Sequence, residues 1–318
     1  MALSTQRFKF LRLVVSVLSV YVLFASLGRL LWVSDLLAIY LDYVVVLLLI
    51  AVGFAIWRKL WPFAGIGLIF CVWGAINIFS FTSAPLSADQ PANLRLMVYN
   101  VYYNNQDVEA VQAEIKRLNP DLLYLMEYPS EANRVMRLDL DADYPYQFIE
   151  PSRRTMGTAF YSKYPITSET LHRFQETRIP IFEIELMVNG ETVVFVGGHP
   201  WPPLPQWGET HREQLADIID VATAVRLERP TVSLIVGGDF NTPPTAYMLD
   251  LLTEQADVAQ VRNRFDYRKT FFSPSVMGTP IDHVFVSDQL TVADYSFGEL
   301  AGSDHRPLVV DFSMQVSE

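Results

Sequence analysis

The chain has 318 residues, with 24 basic and 35 acidic side chains and a formal charge of −11. Such an acidic balance argues against an extended cationic surface for nucleic acid, although a local pocket bridged by metal could still cleave it. A single cysteine, Cys71, excludes a disulfide framework, and the length allows one large domain plus an appendage.

The first 83 residues differ sharply from the rest. They hold six basic residues (Arg7, Lys9, Arg12, Arg29, Arg58, Lys59) and two acidic ones (Asp35, Asp42). Taking these from the totals leaves 18 basic and 33 acidic residues, a charge of −15, for the remainder. Apolar runs at 13–33, 36–57 and 61–81 each approach the roughly 20 residues that cross a bilayer core. The expectation is three transmembrane helices within 1–83, with Arg29 and Asp42 shallow enough to snorkel to an interface. Basic residues cluster before the first run and between the second and third. By the positive-inside rule those flanks are cytoplasmic, which places the following domain outside the cytoplasm. Residues 84–93, carrying two prolines and small polar residues, read as a short tether.

Beyond the tether, residues 94–314 read as a mixed domain. Leu94–Tyr99 is a strand ending at Asn100, and Val108–Leu118 is a helix that stops before Asn119-Pro120. Asp121–Met126 is a buried strand ending at Glu127. Gly157–Ser162 is another strand, and Phe182–Val188 joins Thr192–Gly197 through a hairpin at Asn189-Gly190. A long helix covers Glu209–Leu227. Val232–Val236 is an apolar strand leading into Gly237-Gly238-Asp239. A short helix at Tyr247–Leu252 and strands at Ile281–Ser287 and Leu308–Phe312 complete the pattern. Mixed strands and helices favour two packed sheets with outer helices over a doubly wound parallel sheet.

Polar residues gather where these strands end. Glu127 follows Leu-Leu-Tyr-Leu-Met, His199 follows Val-Phe-Val-Gly-Gly, and Asp239 follows Leu-Ile-Val-Gly-Gly. Asp239 and Asn241 are two apart, so an extended backbone points both to one side; Asp282 and His283 are neighbours and face opposite ways. The paired glycines permit a sharp turn or a close approach to a bound group. Asp304 and His305 follow a Gly-Ser turn. Singly, each residue has an ordinary structural use, as a turn former, an exposed terminus or a cap.

Together, Val98-Tyr-Asn100-Val, Leu-Leu-Tyr-Leu-Met-Glu127, Gly-Gly-His199-Pro, Gly-Gly-Asp239-Phe-Asn241-Thr-Pro, Pro-Ile-Asp282-His-Val-Phe-Val-Ser and Gly-Ser303-Asp304-His305-Arg-Pro resemble the endonuclease/exonuclease/phosphatase superfamily in kind and order. The resemblance covers roughly 93–314 and implies a deoxyribonuclease-like α/β sandwich with outer helices. It implies a hydrolase of phosphate esters, with Glu127, Asp304 and Asn100 around Mg²⁺ (Mn²⁺ being the alternative). His305, paired with Asp282, would take the proton of the attacking water, Asp239 being the alternative base within the family. Asp239 and Asn241 would position that water or contact the phosphoryl oxygens, and His199 would donate to a non-bridging oxygen. Nucleic acid or a phospholipid headgroup would be the substrate, and the three N-terminal helices would meet the bilayer. The leading expectation is a nuclease-like phosphodiesterase. A sphingomyelinase-like activity, an inositol-phosphate phosphatase and a non-catalytic module of the same fold are the alternatives.

Some residues depart from the pattern. Tyr102 stands where nuclease members often carry a charged residue. The loop Trp201-Pro-Pro-Leu-Pro-Gln-Trp207 reads either as a substrate- or lipid-touching element or as a rigid packed lid. Arg153 and Arg154 could hold a second phosphate, Arg212 is expected in a structural ion pair, and His172, His211 and His283 have no assigned role.

Overall fold

A computed structural model describes residues 8–128, 140–150, 157–174, 178–273 and 276–314. Arg153 and Arg154 lie outside that set.

Apolarity alone does not say where a backbone turns, and the N-terminal region shows this. It forms α1 (Lys9–Ala25), the short α2 (Val33–Ala38), α3 (Leu41–Trp57) and α4 (Trp61–Phe79). The run 13–33 breaks after Ala25, where Ser26 Oγ donates to Val22 O at 2.8 Å. The run 36–57 breaks at Ile39–Tyr40, so its first residues belong to α2. At 1.5 Å per residue the 17-residue α1 and α3 are roughly 25 Å long, short of a hydrocarbon core of about 30 Å. Among the described residues only α4 is long and apolar enough by itself to cross a membrane, in place of the three spans expected. The three long helices share one core, containing Val15, Val22, Leu48, Val52, Cys71 and Ile78. Close approach depends on small residues: a Cβ on Gly67 would lie 2.5 Å from Val52, and one on Gly74 2.5 Å from Val45.

The rest is two six-stranded sheets face to face. One runs β13 (Thr291–Phe297), β14 (Leu308–Ser313), β1 (Leu94–Asn100), β2 (Leu122–Met126), β4 (Thr158–Ser162), β3 (Tyr146–Glu150). The other runs β5 (Ile166–His172), β6 (Ile181–Val188), β7 (Glu191–Gly197), β8 (Ser233–Asp239), β12 (Asp282–Val286), β9 (Ala259–Gln260). A small hairpin, β10 (Phe271–Ser273) and β11 (Val276–Thr279), stands apart. Between the sheets lies an apolar core that includes Leu96, Val98, Tyr124, Phe160, Phe195 and Val284. The helix α5 (Val108–Leu118) covers the first sheet's outer face, while α6 (Gly208–Glu228) and α7 (Tyr247–Ala256) cover the second's. The α/β sandwich with outer helices is therefore as expected. The β6–β7 turn is too, with Asn189 and Gly190 both left-handed at φ 51° and 89°.

The stretch expected to be a short tether, 84–93, is docked on the sandwich. Ala84 N donates to Gln260 O (2.7 Å), Ser87 N to Val292 O (2.8 Å) and Asn93 N to Phe312 O (2.9 Å). Strand edges offer these acceptors, and pairing satisfies backbone groups that would otherwise need water.

The helices also contact the sandwich directly. Arg212 pairs with Asp35 at 2.6 Å, donates to Leu31 O at 2.9 Å and also reaches Gly28 O, both carbonyls lying in the turn between α1 and α2. Arg212 is thus in an ion pair, as expected, but its partner lies in the helical region. Lys269 pairs with Asp42, Tyr43 Oη donates to Gly278 O (2.8 Å) and Tyr267 Oη donates to Ile78 O (3.0 Å).

Candidate active site

Strand pairing brings the site residues together. Because β1 and β2 run parallel with Asn100 opposite Met126, Asn100 and Glu127 leave neighbouring strand ends on the same side. In the other sheet β8 and β12 are antiparallel with Asp239 opposite Asp282. His199 lies just past β7, which runs parallel to β8, and Asp304 and His305 precede β14, the antiparallel neighbour of β1. The facing sheets thus meet at one rim.

Backbone turns then aim the side chains. Glu127, Asn241 and Tyr102 all adopt left-handed conformations, with φ of 54°, 52° and 61°. Such a conformation is uncommon for residues other than glycine and concentrates at functional sites. The paired glycines serve protein packing rather than approach to a bound group. A Cβ on Gly238 would sit 2.0 Å from Gly198 O, and one on Gly198 2.5 Å from Ile218.

All eight expected site residues belong to one connected cluster. Asn100 Nδ2 donates to Glu127 Oε1 (3.1 Å) and Asp239 Oδ2 (3.0 Å). His199 Nε2 lies 3.5 Å from Asp239 Oδ2 and 3.9 Å from Glu127 Oε1. Across the cluster, His305 Nε2 is 3.5 Å from Asp239 Oδ2 and 4.0 Å from Asp304 Oδ1, while its Nδ1 faces Asp282 Oδ2 at 2.9 Å. Asn241 Nδ2 donates to Pro200 O at 3.0 Å and approaches His199 Nε2 at 3.4 Å; its backbone N–H donates to Asp239 Oδ1 at 2.9 Å. Asp239, Asp282, His199 and His305 are buried, whereas the Glu127 and Asp304 side chains are 15 % and 31 % exposed.

Electrostatics follow from that crowding. Burial raises the Asp239 carboxyl to about 6, with Asp282 adding repulsion and His305 and His199 opposing it. For His305, burial works against the charged form but is overcome by Asp282 and Asp239, which hold the imidazole up at about 10. Asp304 is raised by burial and by the Glu127 charge, against the pull of His305. Glu127 and Asp304 are thus the outermost carboxylates, each adding to the other's charge, with Asn100 behind Glu127. A hard cation with oxygen ligands and several waters suits that donor set. Asp239, Asp282 and His305 also offer ligand atoms within 4.8 Å of one another. Two of those three, Asp282 and His305, already share a hydrogen bond, which suits a proton-handling pair better than a Mg²⁺ shell.

Several supporting residues had no role in the sequence reading. Ser303 Oγ donates to Asn100 O (2.8 Å) and accepts from His305 N (3.0 Å), coupling both halves of the site. Its place in the Gly-Ser turn was the available signal. Tyr103 N donates to Glu127 Oε2 at 3.0 Å. Thr270 Oγ1 accepts from Ile281 N and Asp282 N, and the Phe271 ring packs 5.0 Å from that of His305. Nothing local in the sequence marks 270–271. His283 faces away, as alternation requires: it contacts Thr242 O and Gln260, and burial lowers its pKa to about 3. His211 bonds Trp201 O through Nδ1, and Trp201 N donates to Gln214 Oε1 at 2.7 Å. The Trp201 and Trp207 rings lie 5.6 Å apart, while Leu204 and Trp207 are exposed, so the loop is folded on itself and still offers an apolar outer face. His172 pairs with Glu183 on a sheet edge remote in sequence from these motifs.

Comparison with known proteins agrees with this geometry. A UPF0294 protein of Vibrio cholerae is 29 % identical over 237 residues, spanning 71 % of this chain and 80 % of that protein. Truncated Caenorhabditis elegans TDP2 superposes with a TM-score of 0.60 at 17 % identity, covering 69 % of this chain and 97 % of that one. The human Nocturnin catalytic domain with bound sulfate superposes at 0.58 and 17 % identity, covering 70 % and 94 %. Staphylococcus aureus beta toxin superposes at 0.54 and 19 % identity, covering 69 % and 99 %. At these identities the structural likenesses speak for the fold. The family model described as Endonuclease/Exonuclease/phosphatase family matches residues 97–305, from the strand that ends at Asn100 to His305 itself, and the chain belongs to that family.

Proposed function

We propose that the chain is a Mg²⁺-dependent phosphodiesterase, with Mn²⁺ able to substitute, held at a membrane by its N-terminal helices. The observation that carries the hydrolase reading is the hydrogen-bonded His305–Asp282 pair facing Asp239, with His199 and the Glu127 carboxylate opposite. Asp282 accepts from His305 Nδ1–H and so points Nε2 toward Asp239; because the neighbouring carboxylates hold the imidazole charged, the His305–Asp239 pair must first lose one proton, after which Nε2 can take another from a water lying there. Asn241 and His199 stand where N–H donors can meet non-bridging phosphoryl oxygens as their charge grows. A divalent cation held by Glu127 and Asp304, with Asn100 in support, would polarise the phosphate and offset the clustered carboxylates. The experiment is hydrolysis by the full chain in detergent, with Mg²⁺, with Mn²⁺ and with chelator, beside Glu127→Ala and His305→Ala. A panel of bis-p-nitrophenyl phosphate, single- and double-stranded DNA, phospholipid vesicles and inositol phosphates would choose the substrate. Each substitution should cost about 10²–10⁴-fold. Metal-independent turnover, or turnover indifferent to both substitutions, would overturn the reading.

The membrane reading rests on the outward faces of α1, α3 and α4. Leu13, Val17, Val20, Leu49, Ile69 and Ile76 are each more than half exposed, and many further large apolar residues join them. Soluble proteins rarely leave contiguous apolar patches beyond a few hundred Å² uncovered. Arg58 and Lys59 at the α3–α4 turn, and the sandwich at the other end, support an extracytoplasmic catalytic domain. A phospholipid headgroup is the second substrate reading. It is favoured because Pro243, Pro244 and Thr245, just after Asn241, lie against Ala38, Asp42 and Ile78 of the helical region, which brings the site close to the apolar helices.

A further inference from the structure

A groove of about 470 Å³ lies where α3 and α4 meet the β10–β11 hairpin. Its volume falls within the roughly 300–1,000 Å³ of ordinary ligand sites, and such sites are mostly apolar. Its walls are Val46 and Leu47 of α3, Ala75 and Phe79 of α4, and Tyr267 and Met277 of the sandwich. Val46 and Leu47 are 57 % and 53 % exposed and belong to the uncovered apolar surface of the helices, so whatever medium covers that surface also meets the groove. Charges of both signs lie at one end. The Lys269 ammonium pairs with Asp42 and sits over the rings of Tyr43 (4.7 Å) and Tyr267 (5.8 Å). An amphiphile with a long apolar tail and a head bearing phosphate fits that polarity; a compact apolar molecule leaves the charged end unused.

The hairpin that forms one wall also touches the site. Gly278 O is held by Tyr43, while on the same hairpin Phe271 packs on the His305 ring and Phe272 N donates to Asp304 O at 2.7 Å. Lys269 and the groove are thus joined by a few residues to the catalytic imidazole. We propose that the groove holds one acyl chain of a bilayer phospholipid, and that the seated chain braces the hairpin behind His305. The proposal rests on the membrane reading above and adds a lipid site distinct from the reacting centre. Positioning of His305 then depends on lipid, even for a water-soluble phosphodiester.

The test compares the full chain with Ala75→Phe and Val46→Trp, which fill the groove from opposite helices, and with Ile69→Trp, which enlarges an outward position away from it. Each protein is purified in mild detergent after mixing with vesicles of phosphatidylethanolamine and phosphatidylglycerol, and retained phospholipid is counted by mass spectrometry. Hydrolysis of bis-p-nitrophenyl phosphate is then followed with and without added phosphatidylglycerol, and thermal unfolding confirms that each variant is folded. The wild type and Ile69→Trp should retain one phospholipid, slow several-fold when excess detergent strips it, and recover when lipid is restored, as a change in kcat. The filled variants should retain none and stay at the lipid-free rate. Filled, folded variants that keep the lipid and the acceleration would overturn the proposal, as would a wild type that retains no lipid. Vesicle flotation separates the underlying reading: a chain that floats with vesicles but fails the groove comparison sinks only the lipid site, and one that does not float sinks both. Retained lipid decides the site even if no diester on the panel is hydrolysed.

Discussion

The two regions of this molecule sort their side chains by different rules. In the sandwich, strands bury apolar residues between the sheets, as in β6, where buried and half-buried positions alternate through most of its length. In the helical region, Leu48 and Val52 are buried while Val46, Leu49 and Ile50 on the same helix are more than half exposed, and all five are apolar. Water sorted the first region by polarity. In the second, only shape separates inside from outside, as in a medium where lipid is as apolar as leucine. The lesson is that burial of apolar area organises the catalytic part, while close packing at Gly67 and Gly74 and a few polar contacts organise the helices.

That contrast can be broken most sharply at the junction. Arg212 is the main polar link between the regions, and its partner Asp35 is almost fully buried. Arg212→Ala should leave that carboxylate unpaired at a cost of about 3–5 kcal/mol. The expected outcome is limited proteolysis that separates the helices from an intact sandwich; unchanged digestion would show that the regions are joined by other contacts. A second comparison sets like against like. Ile69→Lys and Leu227→Lys each place a charge at a strongly exposed apolar position, 67 % exposed on α4 and 76 % on α6. Ile69→Lys should cost about 2.5–3.5 kcal/mol of insertion, read as lost vesicle partitioning, whereas Leu227→Lys should change stability by less than about 0.5 kcal/mol. Equal behaviour of the pair would remove the distinction between the two surfaces.

The smallest expected effect concerns pH and the sandwich alone. His211 is buried against Trp201 O, and burial lowers its pKa to about 4 from 6.5. The unfolded chain therefore binds a proton that the folded chain refuses between those values, so this residue's contribution to stability is full above pH 6.5 and declines as pH falls toward 4. The loss is at most about 3.4 kcal/mol, and about 2 kcal/mol of it is reached by pH 5. Thermal unfolding between pH 7 and 5 should show the decline, and His211→Gln should flatten it.

The candidate site residues were legible because each stands at the end of an apolar run beside a glycine or a turn, and alternation alone separated Asp282 from His283. The bounds of α5 were legible from its periodicity and from Asn119-Pro120; the structure adds that Asp107 caps its start by accepting from Ala110 N, and that Asn119 ends it in a left-handed conformation. The helical region was misread in length because Ser26, Gly28 and Tyr40 turn the backbone inside apolar runs. Those turns are held by partners distant in the chain, such as Arg212. The β10–β11 hairpin left no trace for the same reason: Phe271 has meaning only beside His305, 34 positions on by the numbering. The tether was read from composition as short, and its hydrogen bonds to Gln260, Val292 and Phe312 are contacts that composition cannot carry.

Those three pins make the 84–93 segment a splint rather than a leash. Adding flexible residues within it would give the sandwich no extra reach until the pins had been undone, so the height of the catalytic rim above the helices is a built-in dimension of the molecule. On the membrane seating proposed above, that dimension would set how far from the lipid a phosphate ester must lie to reach the site, a selection by position before any side chain touches it.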